Sequence, residues 1–159
     1  MIILGIDPGS RVTGYGLVTK LPRGLSYIAH GEIRAPRQQV SSAALRTIFE
    51  AIMEIASRHQ PDAMAVEDIF YGKNVKSMIR QGYARGVALL AASLNDLPVF
   101  EYSPLEVKQA VVGYGRAEKH QVQRMVTTLL RLPESPPPDA SDALAVAICH
   151  AHSMRKDPV

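Results

Sequence analysis

Apolar positions along this chain alternate between the two-residue period of strands and the 3.6-residue period of helices. Ile2-Ile3-Leu4-Gly5-Ile6 has no polar side chain, the pattern of a central strand covered on both faces. Asp7-Pro8-Gly9-Ser10 signals a turn, and Gly14-Tyr15-Gly16-Leu17-Val18 lies in a second strand. Leu25 to Ile33 makes a third strand after the turn at Pro22-Arg23-Gly24. The first 35 residues therefore predict an antiparallel meander.

Beyond the meander the period lengthens. Ser41 or Ser42 is placed to cap a helix on which Leu45, Ile48, Phe49, Ile52, Ile55 and Ala56 recur at helical spacing. Ala63-Met64-Ala65-Val66 is a short buried strand after Pro61. A second helix is predicted from about Lys76 to Leu94, with Ile79, Tyr83, Gly86, Val87, Leu90 and Leu94 along one side. Pro98 to Tyr102 forms a fifth strand. Short helices follow over about 104–112 and 118–131. Pro136-Pro137-Pro138 stops the chain before a last helix from about Asp139 to Ser153. A meander followed by alternating helices and strands implies an α/β fold, a five-stranded mixed sheet flanked by helices on both faces.

A chain of 159 residues suits one domain, read here as residues 1–155, with 156–159 a short polar tail. No apolar run approaches the roughly 18 residues of a membrane span. Met1 to Asp7 lacks the basic start of a signal peptide. The single cysteine, Cys149, has no partner for an intramolecular disulfide. A cytoplasmic location is the simplest expectation. The formal charge of +3 is weak evidence for a polyanionic partner. If four acids are engaged with cations, however, 18 Lys and Arg face the 11 remaining acids, a balance of +7. Such a surface suits nucleic acid.

Four carboxylates give that condition its interest. Asp7 follows the first apolar strand and Glu67 the fourth, at carboxyl ends, where open α/β sheets place their ligands. Asp139 and Asp142 stand three apart at a helix start and share a face. Each has a plain alternative: Asp7 as the opener of an Asp-Pro-Gly turn, Glu67 or Asp68 as a solvated strand end, Asp139 and Asp142 as acids suited to the helix dipole. Gathered together, the four would repel unless protonated or bound to hard divalent cations, of which Mg²⁺ is the usual occupant. Two such ions suit in-line phosphoryl displacement.

Several segments carry a specific likeness. They are Gly5-Ile6-Asp7-Pro8-Gly9 with Thr13-Gly14-Tyr15-Gly16; Val66-Glu67 with Phe70 and Lys73-Asn74; Gln81-Gly82 with Ala84-Arg85-Gly86; Pro104 with Val107-Lys108; Val112-Gly113 with Lys119 and Gln121-Val122; and Asp139 to Ala145. In this order the chain resembles the RuvC family, bacterial Holliday-junction resolvases, over essentially its full length. The resemblance implies an RNase H-like fold in which Asp7, Glu67, Asp139 and Asp142 are catalytic and hold two Mg²⁺ ions, with Mn²⁺ a substitute. It implies a homodimer that makes paired symmetric nicks in four-way junction DNA, leaving 5′-phosphate and 3′-hydroxyl, in recombination and repair. RuvA and RuvB branch-migration proteins are the implied partners.

The remaining expectations concern the DNA and the dimer. Lys108, Arg116, Lys119, His120 and Arg124 form one basic cluster on the presumed active side. Lys73, Lys76, Arg80 and Arg85 form another, next to Glu67. The resemblance places Lys108 and Lys119 near the scissile phosphate, with Lys119 in the catalytic set, and makes Phe70 a base-stacking residue; Asn74 belongs with the DNA-binding set. Gly82 and Gly86 each cost a helix about 1 kcal/mol, so close packing must offset them, against the chain's own sheet or across a dimer interface. Ser141 is expected to cap its helix rather than act on the site. His30, His59, His150, His152 and Cys149 are expected to have no chemical role. Competing readings are a phosphotransferase of the actin and sugar-kinase type, for which 159 residues leave no second lobe; a catalytically silent junction binder, against which the four acids argue; and a related nuclease acting on RNA.

Overall fold

The computed structural model describes residues 1–9, 11–35, 41–69, 74–153 and 158. Its elements are β1 (Ile2–Asp7), β2 (Val12–Leu21), β3 (Gly24–Arg34), α1 (Ser42–His59), β4 (Ala63–Glu67), α2 (Val75–Leu94), β5 (Val99–Tyr102), α3 (Pro104–Val112), α4 (Lys119–Leu129) and α5 (Pro138–Ser153). The sheet order is β3-β2-β1-β4-β5. β1, β2 and β3 are the antiparallel meander, whereas β4 and β5 run parallel to β1. β1 is therefore the strand at which direction changes. Its end lies beside that of β4, with Ile6 opposite Val66.

Alternate residues of each strand feed two cores, as a pleated sheet requires. Ile3, Val18, Ala65 and Tyr102 pack with α3, α4 and α5. Leu4, Ile6, Leu17, Met64 and Val66 pack with α1 and α2 on the opposite face. The helix α5 is buried almost all round from Ala140 to Ala151, which explains its short, apolar sequence without a clear polar stripe. It approaches the sheet so closely that side chains are excluded beneath it. A Cβ on Gly5 would fall 2.0 Å from the carbonyl oxygen of Ala143, and one on Gly14 would fall 1.9 Å from that of Asp139.

The helix α1 is capped as expected, by Ser41, whose Oγ accepts from the backbone N–H of Ala44 at 3.2 Å. On α2 the buried face consists of Ala84, Ala88, Ala91 and Ala92. The larger residues Val75, Ile79, Tyr83, Leu90 and Leu94 lie exposed. Among the described residues, no helix is long and apolar enough to cross a membrane.

Candidate metal centre and DNA-facing cleft

Asp7 ends β1 and Glu67 ends β4, so parallel pairing sets the two carboxylates side by side. Gly14 faces Asp7 across the β1–β2 ladder. Because Gly14 lacks a side chain, the first turn of α5 descends onto β2 and carries Asp139 and Asp142 to the same place. Asp7, Asp139 and Asp142 each offer an oxygen, and these oxygens lie within 4.8 Å of one another. Glu67 stands outside that triple but raises the proton affinity of Asp7.

Electrostatics follow from this crowding. Burial, then repulsion from Asp142, Glu67 and Asp139, pushes Asp7 up to about 8. Burial and the charge of Asp142 push Glu67 up to about 7, against the opposing charges of Lys119 and Lys108. Burial raises Asp142 as well, although a hydrogen bond from Lys119 holds it down in part. Lys119 Nζ lies 2.6 Å from Asp142 Oδ2. Burial disfavours the ammonium, but that hydrogen bond and the charges of Asp142, Asp7 and Asp139 outweigh it and raise its affinity for the proton. One lysine does not neutralise four acids. The excess negative charge and the all-oxygen donor set fit hard divalent cations.

A cleft of about 530 Å³ opens beside the acids, lined by Glu67, Pro104, Val107, Lys108, Lys119, Val122, Asp142 and Ala145. It brings Lys108 from α3 and Lys119 from α4 together, although ten residues of sequence lie between them. Arg116 and Arg124 are exposed, on the loop before α4 and on α4 itself. His120 pairs with Glu118 at 3.2 Å.

The second basic cluster is less uniform than its sequence suggests. Lys76 is exposed and Arg80 half-buried on α2. Arg85 reaches inward to ion-pair with Glu101 on β5, with Asp68 at 4.0 Å, and does not lie free at the surface. Asn74 caps α2, its Oδ1 accepting from the Ser77 N–H at 3.1 Å. Phe70, Tyr71 and Lys73 lie outside the described residues. Among the described residues, nothing lies within 4 Å of where a Cβ on Gly86 would stand, and a Cβ on Gly82 would meet only Ile69, at 3.8 Å. Neither glycine is explained by close packing against the chain's own sheet.

Ser141 corrects an expectation. It sits inside α5, past the cap, fully buried, and its Oγ has no hydrogen-bond partner among the described residues. A helix beginning at Pro138 rather than Asp139 places it too far along to cap. Thr13 was quoted only as part of a motif, yet it organises the turn after Asp7. Buried, it donates to the Gly9 carbonyl at 3.1 Å and receives the Gly9 N–H at 3.4 Å. A threonine in an apolar strand four residues past a turn glycine was the available signal. His150 is buried and bonds to Tyr102 Oη at 2.8 Å, and Cys149 is buried on α5.

A mixed sheet in this order, with helices on both faces, is an RNase H-like fold. The chain belongs to the RuvC family: the family model described as crossover junction endodeoxyribonuclease RuvC matches residues 3–150. The crossover junction endodeoxyribonuclease RuvC of Desulforamulus reducens is 51% identical over 152 residues, covering 95% of this chain and 93% of that one. That of Citrobacter koseri is 54% identical over 151 residues, covering 95% and 87%. The structure of Thermus thermophilus RuvC in complex with Holliday junction substrate superposes with a TM-score of 0.92 at 34% identity, covering 100% of this chain and 99% of that one.

Proposed function

We propose that this chain cuts four-way DNA junctions, as the name crossover junction endodeoxyribonuclease indicates for its relatives, and that it does so by metal-dependent phosphodiester hydrolysis. The observation that carries the reading is the convergence of Asp7, Asp139 and Asp142 within 4.8 Å, with Glu67 on the adjacent strand end. These four residues would hold two Mg²⁺ ions, with Mn²⁺ as a substitute. When bound, such ions lower the pKa of a water and stabilise charge on the leaving oxygen.

The chain's own groups do the rest. Without a counter-cation Asp7, pushed up to about 8, and Glu67, pushed up to about 7, hold protons into the neutral range, and Asp142 binds its proton more tightly than usual, so divalent ions relieve the crowding. Lys119 and Lys108 put positive charge on the cleft wall, where a phosphate entering beside Asp142 gathers negative charge. Lys119 also keeps Asp142 more readily ionised. Arg116, Arg124, Lys76 and Arg80 grip phosphates outside the cleft, fixing position without reading bases. Hydrolysis leaves a 5′-phosphate and a 3′-hydroxyl.

Two nicks at related positions require two active sites. The exposed stripe Ile79, Tyr83, Leu90 and Leu94, beside the open Gly86, is an apolar face suited to a second copy of the chain. A two-fold dimer matches a junction of approximate two-fold symmetry. RuvA and RuvB, acting on the same junction in the cytoplasm, are the partners this reading brings. The test is incubation of metal-stripped protein with a synthetic junction before and after Mg²⁺ is restored. Nicking only after restoration supports the reading, and nicking in chelator opposes it.

A further inference from the structure

We propose that Leu105 and Tyr114 form an apolar platform on which the deoxynucleotide next to the scissile phosphate packs. This deepens the junction-cleaving function proposed above and rests on it. Leu105 is 58% exposed and Tyr114 is 47% exposed. Pro104, the neighbour of Leu105, lines the cleft with Lys108, Lys119 and Asp142. The loop carrying Tyr114 leaves α3 at Gly113, whose φ of 96° reverses the chain, and returns to Lys119 at the start of α4. On its way it lies against Leu105: a Cβ on Gly115 would fall 2.4 Å from Leu105 Cδ1.

The loop is fixed rather than loose. Ala117 is 1% exposed and belongs to the core that includes Val107, Val111 and Val122. Glu118 and Gln121 form a capping box at the start of α4. Two large apolar side chains thus stay exposed, one next in sequence to the cleft residue Pro104 and one on the loop that leads to the cleft residue Lys119, and exposure disfavours them unless something covers them. The charges nearby identify the occupant. Arg116 is exposed on the same loop, and Lys108 and Lys119 line the cleft together with Pro104, the neighbour of Leu105. Cations for phosphates beside an aromatic face for a base are what a nucleic-acid strand requires.

The experiment uses the full chain and a synthetic four-way junction carrying 2-aminopurine either beside the cut or in a distant arm. Binding fluorescence is read in EDTA and single-turnover cleavage in Mg²⁺. Tyr114→Ala and Leu105→Ala are expected to abolish the fluorescence change beside the cut. Tyr114→Ala is expected to slow cleavage about five- to a hundredfold, the range spanned by loss of one base–aromatic stack, and Leu105→Ala to slow it less. Junction affinity, set mainly by phosphate contacts, changes less, and Tyr114→Phe retains both signals. Wild-type fluorescence and rate in Tyr114→Ala overturn the platform, as does an equal fluorescence loss in the distant arm. A wild-type chain that cuts no junction overturns the underlying function and the platform with it.

Discussion

Lys119 Nζ lies 2.6 Å from Asp142 Oδ2, joining the start of α4 to the first turns of α5 at the mouth of the cleft. The pair sets a cation against the carboxylates and holds Asp142 below the value that burial alone would give it. Lys119→Ala therefore removes positive charge from the cleft wall and makes Asp142 harder to ionise. Single-turnover cleavage falls about 10²- to 10³-fold, as when one transition-state donor is lost. Its pH profile moves upward and junction affinity changes little. A large binding loss with an unchanged rate contradicts this role.

Asp7→Asn removes a carboxylate oxygen from the centre of the triple without touching Lys108, Arg116 or Arg124. Cutting is abolished and junction binding persists. Near-normal nicking by this variant removes Asp7 from the metal set.

The pH dependence of metal-free stability gives a second view of the same residue. Asp7 is pushed from 3.8 up to about 8. A carboxyl with a raised folded pKa binds its proton more tightly when folded. Its contribution is present below the unfolded value and is lost as pH rises through the folded one. Asp7→Asn cannot lose that contribution. In EDTA the thermal midpoint of the variant should match wild type near pH 4 and exceed it increasingly toward pH 8. Saturating Mg²⁺ or Mn²⁺ reverses the order, because only wild type binds fully. Scanning calorimetry at several pH values decides it; a gap that shrinks with rising pH contradicts the electrostatics.

Gly14→Ala tests how the site is assembled. The new methyl would stand 1.9 Å from the Asp139 carbonyl oxygen, a backbone atom that cannot step aside alone. The first turn of α5 must shift, at a cost of about 1–3 kcal/mol or more. Cleavage falls further than stability explains, because Asp139 and Asp142 move with the helix. Denaturant unfolding beside cleavage rates checks it. Unchanged activity at full metal occupancy opposes the close-approach role.

Much of this was legible in the sequence, for reasons that differ by element. The strand carrying Asp7 and the strand carrying Glu67 are short apolar runs ending in an acid, so the strand ends and the acids were read together. Asp139 and Asp142 followed from helical spacing after the proline stop. The orientation of α2 was not legible. Its alanines face the core and its larger Ile79, Tyr83 and Leu90 face outward, the reverse of what side-chain size suggests, because small residues admit close packing against α1. The Arg85–Glu101 pair spans α2 and β5, sixteen residues apart, and no local pattern announces it. Ser141 was misread because the helix begins one residue earlier than the acid that marks it, which moves the serine into the interior.

The most direct measurement is strand mapping of a synthetic mobile four-way DNA junction, with duplex of the same sequence alongside, in Mg²⁺ and in EDTA. Paired nicks at symmetric positions in two strands of like polarity, in the junction alone and only with metal, are expected. Junction binding without nicks in either Mg²⁺ or Mn²⁺, or equal cutting of duplex, contradicts a resolvase built on Asp7, Glu67, Asp139 and Asp142.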